Sequence, residues 1–284
     1  MAALEEDQDD VVINPATMLL RDDDSDSDEV KMVESEQLRQ HSLPSIDSTI
    51  VTRQLPSQGL SFQLWPAATT LLTLLDDHRR DPTTSPLGPT LSALESGRRL
   101  KILELGSGTG LVGIAAAATL GACVTVTDLP HVVDNLKFNA ELNAAALGGS
   151  GGSVRVAALR WGEGEDAEAI GREFDIVLAS DVVYHDHLYE PLLKTLSFLL
   201  LGEGGVVFVM AHLRRWKKES AFFKRARKLF EVEVLHVDRP CQGSRVGVTV
   251  YRFTGKPSVG ERSIFHLYKQ TKSKRFFVFK YYTT

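Results

Sequence analysis

The sequence has little cysteine and no long apolar run. Its 284 residues include only Cys123 and Cys241, too few for a disulfide framework or a cysteine-rich zinc site. The longest apolar stretch, residues 196–210, is interrupted by the glycines at 202, 204 and 205, so it is shorter than the roughly 18–20 residues that span a bilayer. The N-terminus is acidic, unlike a secretory signal. We therefore expect no membrane partner and a reducing, cytoplasmic compartment, with a nuclear location left open.

Charge is distributed unevenly along the chain, which has 32 Lys+Arg against 37 Asp+Glu and a formal net charge of −5. Residues 1–36 hold thirteen carboxylates and two bases, or −11, and subtracting this from −5 leaves +6 for the other 248 residues. Because the acidic run has no apolar face and repels itself, we predict a disordered acidic tail over residues 1–45. A monomeric domain is expected over residues 46–254, followed by a basic and aromatic extension over residues 255–284.

The body of the chain alternates strand and helix patterns. Apolar or β-branched runs predict strands over 100–105, 122–127, 154–159, 174–180, 205–211, 231–237 and 245–253, and helices are predicted over 111–120, 130–146, 187–201 and 216–230. Upstream, segments 49–52 and 60–64 predict a β-hairpin, followed by a helix over 67–76 and a loop over 78–98. This order indicates an α/β fold with a Rossmann-like, mostly parallel sheet and helices on both faces. Ligands of such sheets bind beyond the carboxyl ends of the strands.

A glycine-rich segment stands between the first of these core strands and its helix. It reads Glu-Leu-Gly-Ser-Gly-Thr-Gly-Leu-Val-Gly over residues 104–113. Glycines allow a tight turn and the close approach of a ligand to the backbone. Asp128 ends the next strand, where a carboxylate can accept hydrogen bonds from both hydroxyls of a ribose. The segment from Gly108 onward also fits the dinucleotide pattern Gly-x-Gly-x-x-Gly, so an NAD-dependent enzyme stays an alternative.

Three features favour a ligand other than a pyrophosphate. Glu104 stands two residues before the first glycine, where a carboxylate is awkward beside a phosphate but useful near an ammonium group. The glycines recur at a spacing of two, which keeps the turn open for a bulkier ligand. Two further segments follow the next two strands, one with Trp161 and the other with Asp181 and Tyr184. They fall where a second layer of the same site should lie.

Together these motifs resemble the seven-β-strand S-adenosylmethionine-dependent methyltransferases. They are most similar to the branch of small protein-lysine methyltransferases called methyltransferase family 16, which also has a tryptophan just upstream of the core, here Trp65 in Trp-Pro-Ala-Ala. The resemblance covers about residues 50–253, with the motifs in the right order and spacing. It implies the seven-stranded class I methyltransferase fold, S-adenosylmethionine as the cofactor and a protein as the substrate.

The resemblance also implies which residues bind the cofactor. The set is Trp65, Glu104, Gly106, Ser107, Gly108, Asp128, Leu129, Trp161 and Ser180. Within it, residues 106–108 would line the methionine part, and Asp128 would bind the ribose hydroxyls. Leu129 would touch the adenine, with Trp161 packed against that ring, and Trp65 would cover the cofactor from the N-terminal side.

The segment after the fourth core strand carries the catalytic prediction. Asp181 and Tyr184 stand where amine-directed methyltransferases have an Asp/Asn-x-x-Tyr/Phe signature. The resemblance therefore implies that Asp181 orients the amine and that Tyr184 is a pocket wall able to hold a cationic nitrogen. Alternatively, Asp181 caps the following helix. The sequence lacks the Pro-Pro of glutamine- and nucleobase-directed enzymes, which favours lysine as the substrate, and no metal site is predicted.

Several alternatives stay open on the sequence alone. The basic segments 214–228 and 256–284 would suit an acidic partner, the chain's own tail or a nucleic acid, which keeps an RNA or small-molecule methyltransferase in view. A catalytically silent cofactor-binding scaffold is a further alternative. His185 and His187 could relay a proton, although a surface loop position is favoured, and His212 is a second-tier candidate at the same sheet edge.

Overall fold

A computed structural model describes residues 36–94, 97–202, 204–240 and 246–256. Most of the predicted tail and of the C-terminal extension lies outside the described residues. The strands are β1 (Gln37–Leu43), β2 (Ser48–Gln54), β3 (Lys101–Leu105), β4 (Cys123–Asp128), β5 (Ser153–Ala158), β6 (Ile176–Ser180), β7 (Val207–His212), β8 (Phe230–Val237) and β9 (Thr249–Gly255). The α-helices are α1 (Pro66–Arg80), α2 (Gly88–Leu94), α3 (Leu111–Leu120), α4 (Val133–Leu142), α5 (Ala144–Ser150), α6 (Gly164–Ile170), α7 (Tyr189–Leu200) and α8 (Ser220–Leu229). Within these ranges no helix combines the length and the apolarity needed to cross a membrane.

The main sheet has seven strands in the order β5-β4-β3-β6-β7-β9-β8. Strands β5, β4, β3, β6 and β7 are parallel, whereas β9 runs antiparallel to both β7 and β8. Strands β1 and β2 form a separate antiparallel pair. The predicted α/β fold with a seven-stranded, mostly parallel sheet is therefore confirmed.

Helices cover both faces of this sheet, because successive residues of a central strand enter two different cores. In β3, Ile102 packs in the core shared with α1, α3 and α4, whereas Leu103 packs in the core shared with α7 and α8. The same alternation occurs in β7 at Phe208 and Val209. Strands buried on both sides explain why the sequence shows continuous apolar runs here rather than alternation.

Several predictions about local structure are wrong. Strand β2 pairs with β1, not with residues 60–64, where Leu60–Phe62 forms a 3-10 turn. Because β1 begins at Gln37, ordered structure starts before residue 46, so the predicted end of the tail at residue 45 is also wrong. The predicted loop 78–98 contains the end of α1 and all of α2, and helix α6 was not predicted.

Asparagines on one face of α4 hold the β1–β2 pair against the domain. Asn139 Oδ1 accepts a hydrogen bond from Arg53 N at 2.7 Å, and Asn143 Oδ1 accepts one from Val51 N at 2.8 Å. Their amides donate in return to Arg53 O at 3.2 Å and Val51 O at 2.7 Å. Asn135 Oδ1 accepts from Arg53 Nε at 2.8 Å. A polar side chain every fourth residue of the helix thus satisfies the free backbone edge of β2.

The chain reverses its direction of travel through the sheet between β3 and β6. From β3 it proceeds outward to β4 and β5, and it then returns to place β6 on the other side of β3. The segments that follow β3, β4 and β6 therefore meet at one edge. A crevice for a ligand is expected at such a switch point.

Candidate functional site

A cavity of about 570 Å³ opens at this carboxyl edge. Every residue predicted from the sequence to bind the cofactor or to act in catalysis lines it. These residues are Trp65, Glu104, Gly106, Ser107, Gly108, Asp128, Leu129, Trp161, Ser180, Asp181 and Tyr184. The structure thus brings the whole predicted set to one place, and the contacts of each member decide what it can do there.

The loop after β3 runs close beneath the cavity wall. Gly106 and Gly108 have φ angles of 60° and 56°, in the left-handed region that favours glycine. A Cβ atom on Gly106 would lie 2.8 Å from Cζ2 of Trp161, and one on Gly108 would lie 3.1 Å from the carbonyl oxygen of Ser61. Gly106 is therefore required both by its φ angle and by the indole that lies against it.

The hydroxyl of Ser107 holds this loop to β4. Its Oγ accepts a hydrogen bond from Thr127 N at 3.0 Å and lies 3.4 Å from Glu104 O, to which it donates. The backbone N–H of Ser107 donates to Thr127 O at 2.9 Å. The Ser107 side chain is therefore committed to positioning the loop that its neighbours use to approach a ligand.

Asp128 ends β4 and keeps part of its hydrogen-bonding capacity free. Its side chain accepts hydrogen bonds from Gly108 N and from Leu129 N, each at 2.8 Å. An ionised carboxylate can accept about four hydrogen bonds, so about two remain for further donors such as the paired hydroxyls of a ribose. Burial raises the pKa of Asp128, and the two backbone amides oppose that rise. Leu129 is 41% exposed and gives the adjoining rim an apolar surface.

Glu104 is a buried carboxylate without a cationic partner among the contacts of its side chain. Its Oε2 accepts a hydrogen bond from Gly113 N, in the first turn of α3, at 2.9 Å. A Cβ atom on Gly113 would lie 2.6 Å from this oxygen, so a glycine is needed for the approach. Burial, with a smaller contribution from the charge of Asp128, raises the pKa of Glu104 to about 8, although the Ser107 side chain and Gly113 N both act to lower it. The site therefore holds a carboxyl group that an incoming cation would help to ionise.

Asp181 differs from these two residues because its oxygens are already used. It has a φ of 54°, and its Oδ1 accepts hydrogen bonds from Leu213 N at 2.9 Å and from Arg215 Nη1 at 3.2 Å. Its Oδ2 accepts from Arg215 Nη2 at 3.0 Å and from Ala67 N at 3.3 Å. Burial opposes ionisation, but the neighbouring His212 and Arg215 lower the pKa of Asp181 to about 2.

In the ligand-free structure these contacts give Asp181 a structural role, and its role as the group that orients the substrate amine stays a prediction. Four donors occupy about all of its acceptor capacity, and its side chain is only 1% exposed. The alternative, a cap on the helix that follows, is not what these contacts show. Asp181 instead caps the first turn of α1, a helix far away in sequence, through Ala67 N.

Tyr184 lies where the predicted pocket wall should be. Its ring centre is 4.8 Å from that of His185, and His185 in turn stacks on His187 at 5.3 Å with the planes 18° apart. Burial raises the pKa of Tyr184, and the charge of Asp128 adds to the rise, so the phenol keeps its proton at neutral pH. An uncharged aromatic ring in this position offers a face to a cationic nitrogen.

Two parts of the cavity wall were not predicted from the sequence to belong to the site. One is formed by residues 60–64, where Leu60 O accepts a hydrogen bond from the indole of Trp65 at 3.0 Å. The other is formed by Arg215, Trp216 and Lys218, after β7. The sequence contained one indication of the second part. Glu219 is the sole carboxylate within the basic segment 214–228, and in the structure it is fully buried.

A family model described as lysine methyltransferase matches residues 46–229. The chain belongs to this family. A protein N-lysine methyltransferase METTL21A from Danio rerio is 32% identical over 194 residues, covering 68% of this chain and 77% of that protein. EEF1A lysine methyltransferase 3 from Mus musculus is 30% identical over 194 residues, covering 68% and 72%. Protein-lysine methyltransferase METTL21E from Mus musculus is 29% identical, covering 75% and 84%.

Membership in the lysine methyltransferase family confirms the resemblance read from the motifs. It also confirms the predicted enzyme class, a methyltransferase directed at protein lysine, over the NAD-dependent and RNA-directed alternatives. Membership in this methyltransferase family implies the use of S-adenosylmethionine.

Proposed function

We propose that this protein binds S-adenosylmethionine in the cavity at the carboxyl edge of its sheet and methylates the ε-amine of a lysine in a protein substrate. The observation that carries this proposal is the composition of the cavity lining. Two carboxyl groups with free acceptor capacity, Glu104 and Asp128, and the uncharged aromatic ring of Tyr184 line the same cavity.

The residues present fit each part of the cofactor. Asp128 has acceptor capacity left for the ribose hydroxyls, and buried Glu104 suits the ammonium of the methionine part. The indole of Trp161 and the exposed Leu129 are apolar partners for the adenine. The bound cofactor would supply a methyl group on a sulfonium, which leaves as a neutral thioether.

The protein's own contribution is alignment and the exclusion of water. Methyl transfer requires the amine lone pair and the methyl carbon to be held in line at about 3–3.5 Å. The Tyr184 ring would hold the lysine nitrogen through a cation–π contact worth about 0.5–2 kcal/mol. The lysine must lose a proton before it attacks, and Lys218, which also lines the cavity, would favour that loss because a nearby cation destabilises the ammonium form.

Calorimetry with S-adenosylhomocysteine tests the cofactor half of the proposal. Asp128→Ala is expected to weaken binding by about 1–3 kcal/mol, since ribose hydroxyls would lose buried partners. Asp134→Ala, at a side chain that is 96% exposed, is the matched control and should bind like the wild type. If neither variant binds more weakly than the wild type, Asp128 has no ribose role. If the wild type itself does not bind, the chain has lost the cofactor site.

Incubation with a labelled methyl donor tests the substrate half. Proteins incubated with the wild type should acquire label on lysine, and prior chemical blocking of lysine amines should abolish it. Label that survives protease and disappears with RNase would refute a protein substrate. One relative is named for EEF1A, which makes EEF1A the first purified protein to try.

A further inference from the structure

A cluster of four charged residues with little exposed surface includes the part of the cavity wall formed by Asp181 and Arg215. Glu219 is fully buried, His212 is 1% exposed, and the side chains of Asp181 and Arg215 are 1% and 10% exposed. His212 Nε2 lies 3.0 Å from Glu219 Oε2, and its Nδ1 lies 3.6 Å from Asp181 Oδ1. Arg215 closes the cluster through its two hydrogen bonds to Asp181.

The four members depend on one another electrostatically. A buried carboxylate without a cation is strongly disfavoured, and this cluster contains two. Burial would lower the pKa of His212, but the flanking Asp181 and Glu219 raise it overall, which favours a protonated imidazole. Two cations then balance two anions. Removing Arg215 alone would leave two buried carboxylates with a single imidazolium between them.

The cluster also joins three chain segments that form the cavity wall. Through Asp181 it reaches Ala67 N, in the first turn of α1 and two residues after Trp65. Through the same carboxylate it reaches Leu213 N, after β7. The Arg215 guanidinium carbon lies 5.1 Å from the ring centre of Trp65, and Arg215 Nη1 also donates to Leu213 O at 3.1 Å. The left-handed backbone of Asp181 is held in place by these contacts.

We infer that Arg215 is a positioning residue for methyl transfer, which acts through Asp181 to hold Trp65 and the 181–184 segment around the substrate end of the cavity. Asp181 then influences catalysis without touching the amine. A planar guanidinium suits this role, because it donates two parallel hydrogen bonds to one carboxylate and can also lie over an aromatic ring. The catalytic part of the inference rests on the proposed function, whereas the structural part does not.

Two substitutions that leave no net charge at the pair test whether Arg215 acts through Asp181. Arg215→Met is expected to lower kcat at least 100-fold while the Kd for S-adenosylhomocysteine changes less than threefold. Adding Asp181→Asn removes the carboxylate charge that Arg215→Met leaves unpaired and should restore kcat at least tenfold. A double variant no better than Arg215→Met would refute a role of Arg215 that acts through Asp181. Arg225→Met, at an exposed arginine of α8, is the control and should keep the wild-type kcat.

Hydrogen exchange on the ligand-free protein gives a second, independent measurement. The amides of Ala67 and Leu213 donate to Asp181 and should exchange at least tenfold faster in Arg215→Lys. This variant keeps the positive charge but cannot donate two parallel hydrogen bonds to the carboxylate. Amides of β4 should not change. Unchanged exchange at Ala67 and Leu213 overturns the inference, as does a kcat for Arg215→Met within threefold of the wild type.

The outcomes distinguish the inference from the proposed function. A wild-type protein that methylates no protein lysine refutes the proposed function, while the exchange rates still decide whether Arg215 positions the two segments. Loss of S-adenosylhomocysteine binding in step with kcat would mean general collapse of the site and would refute positioning. If Arg215→Met does not fold, Arg215→Lys and the double variant supply the same comparison.

Discussion

Replacing Glu104 with glutamine should make the ligand-free protein more stable at neutral pH and should leave it unchanged in acid. Glutamine has nearly the same shape, and its side-chain oxygen can still accept the hydrogen bond from Gly113 N. It has no charge at any pH. Any pH-dependent difference in the free energy of unfolding between the two proteins therefore measures the ionisation of Glu104 in the folded state.

The magnitude follows from the pKa of Glu104, which burial raises from 4.5 to about 8. Below pH 4.5 the carboxyl is protonated in both folded and unfolded chains, so it contributes no pH-dependent difference. Between pH 4.5 and 8 the unfolded chain has released the proton and the folded chain has not, so the wild type loses stability as pH rises. The loss reaches about 3 kcal/mol at pH 7 and roughly 5 kcal/mol above pH 8.

Urea unfolding at pH 5, 6, 7 and 8 measures this difference directly. The free energy of unfolding of Glu104→Gln should exceed that of the wild type by an amount that grows with pH. Glu168→Gln, at an exposed position of α6, is the control and should follow the wild type within about 0.5 kcal/mol. A difference that stays constant from pH 5 to 8 would refute the reasoning, because it would mean that Glu104 is ionised in the folded protein.

The remaining predictions concern ligand binding, the loop after β3 and the β1–β2 pair. Cofactor binding at pH 7 should release a proton from Glu104, seen by calorimetry in buffers of different ionisation enthalpy and absent in Glu104→Gln. Gly106→Ala should destabilise the fold by about 1–3 kcal/mol in urea unfolding, since its φ is 60°; Gly148→Ala, in open space within α5, should not destabilise it. Asn139→Ala removes the side-chain acceptor of Arg53 N and the donor to Thr109 O, and should lower the free energy of unfolding by about 2–4 kcal/mol.

The parts of the fold that the sequence predicted well are those set by local patterns. Helix α3 has the predicted bounds because glycines flank an unbroken run of small apolar residues. The central strands were predicted because burial on both faces makes them continuously apolar. The site residues followed from motifs at strand ends, which the sheet topology necessarily brings to one edge.

What the sequence did not reveal depends on contacts between distant segments. The alternation of residues 60–64 is typical of a strand, but β2 already has β1 on one edge, and asparagines of α4 pair with backbone groups of Val51 and Arg53. Strand β1, the actual partner of β2, could not be predicted because residues 37–43 are mostly polar. The structural role of Asp181 was missed because it too depends on a distant segment, since Arg215 lies 34 residues later.

Three buried carboxyl groups line one cavity, and their environments separate them by function. Asp181 is matched by a guanidinium and lies well below its usual pKa, which makes it part of the framework. Burial raises the pKa values of Glu104 and Asp128, and neither the hydrogen bonds that they accept nor the charge of His131 near Asp128 offsets it. A protein maintains such unbalanced groups at a cost in stability, and a ligand that supplies a cation and paired hydroxyls removes that cost. We therefore propose Glu104 and Asp128 as binding residues because the protein leaves their burial unbalanced, and not only because they stand in a motif.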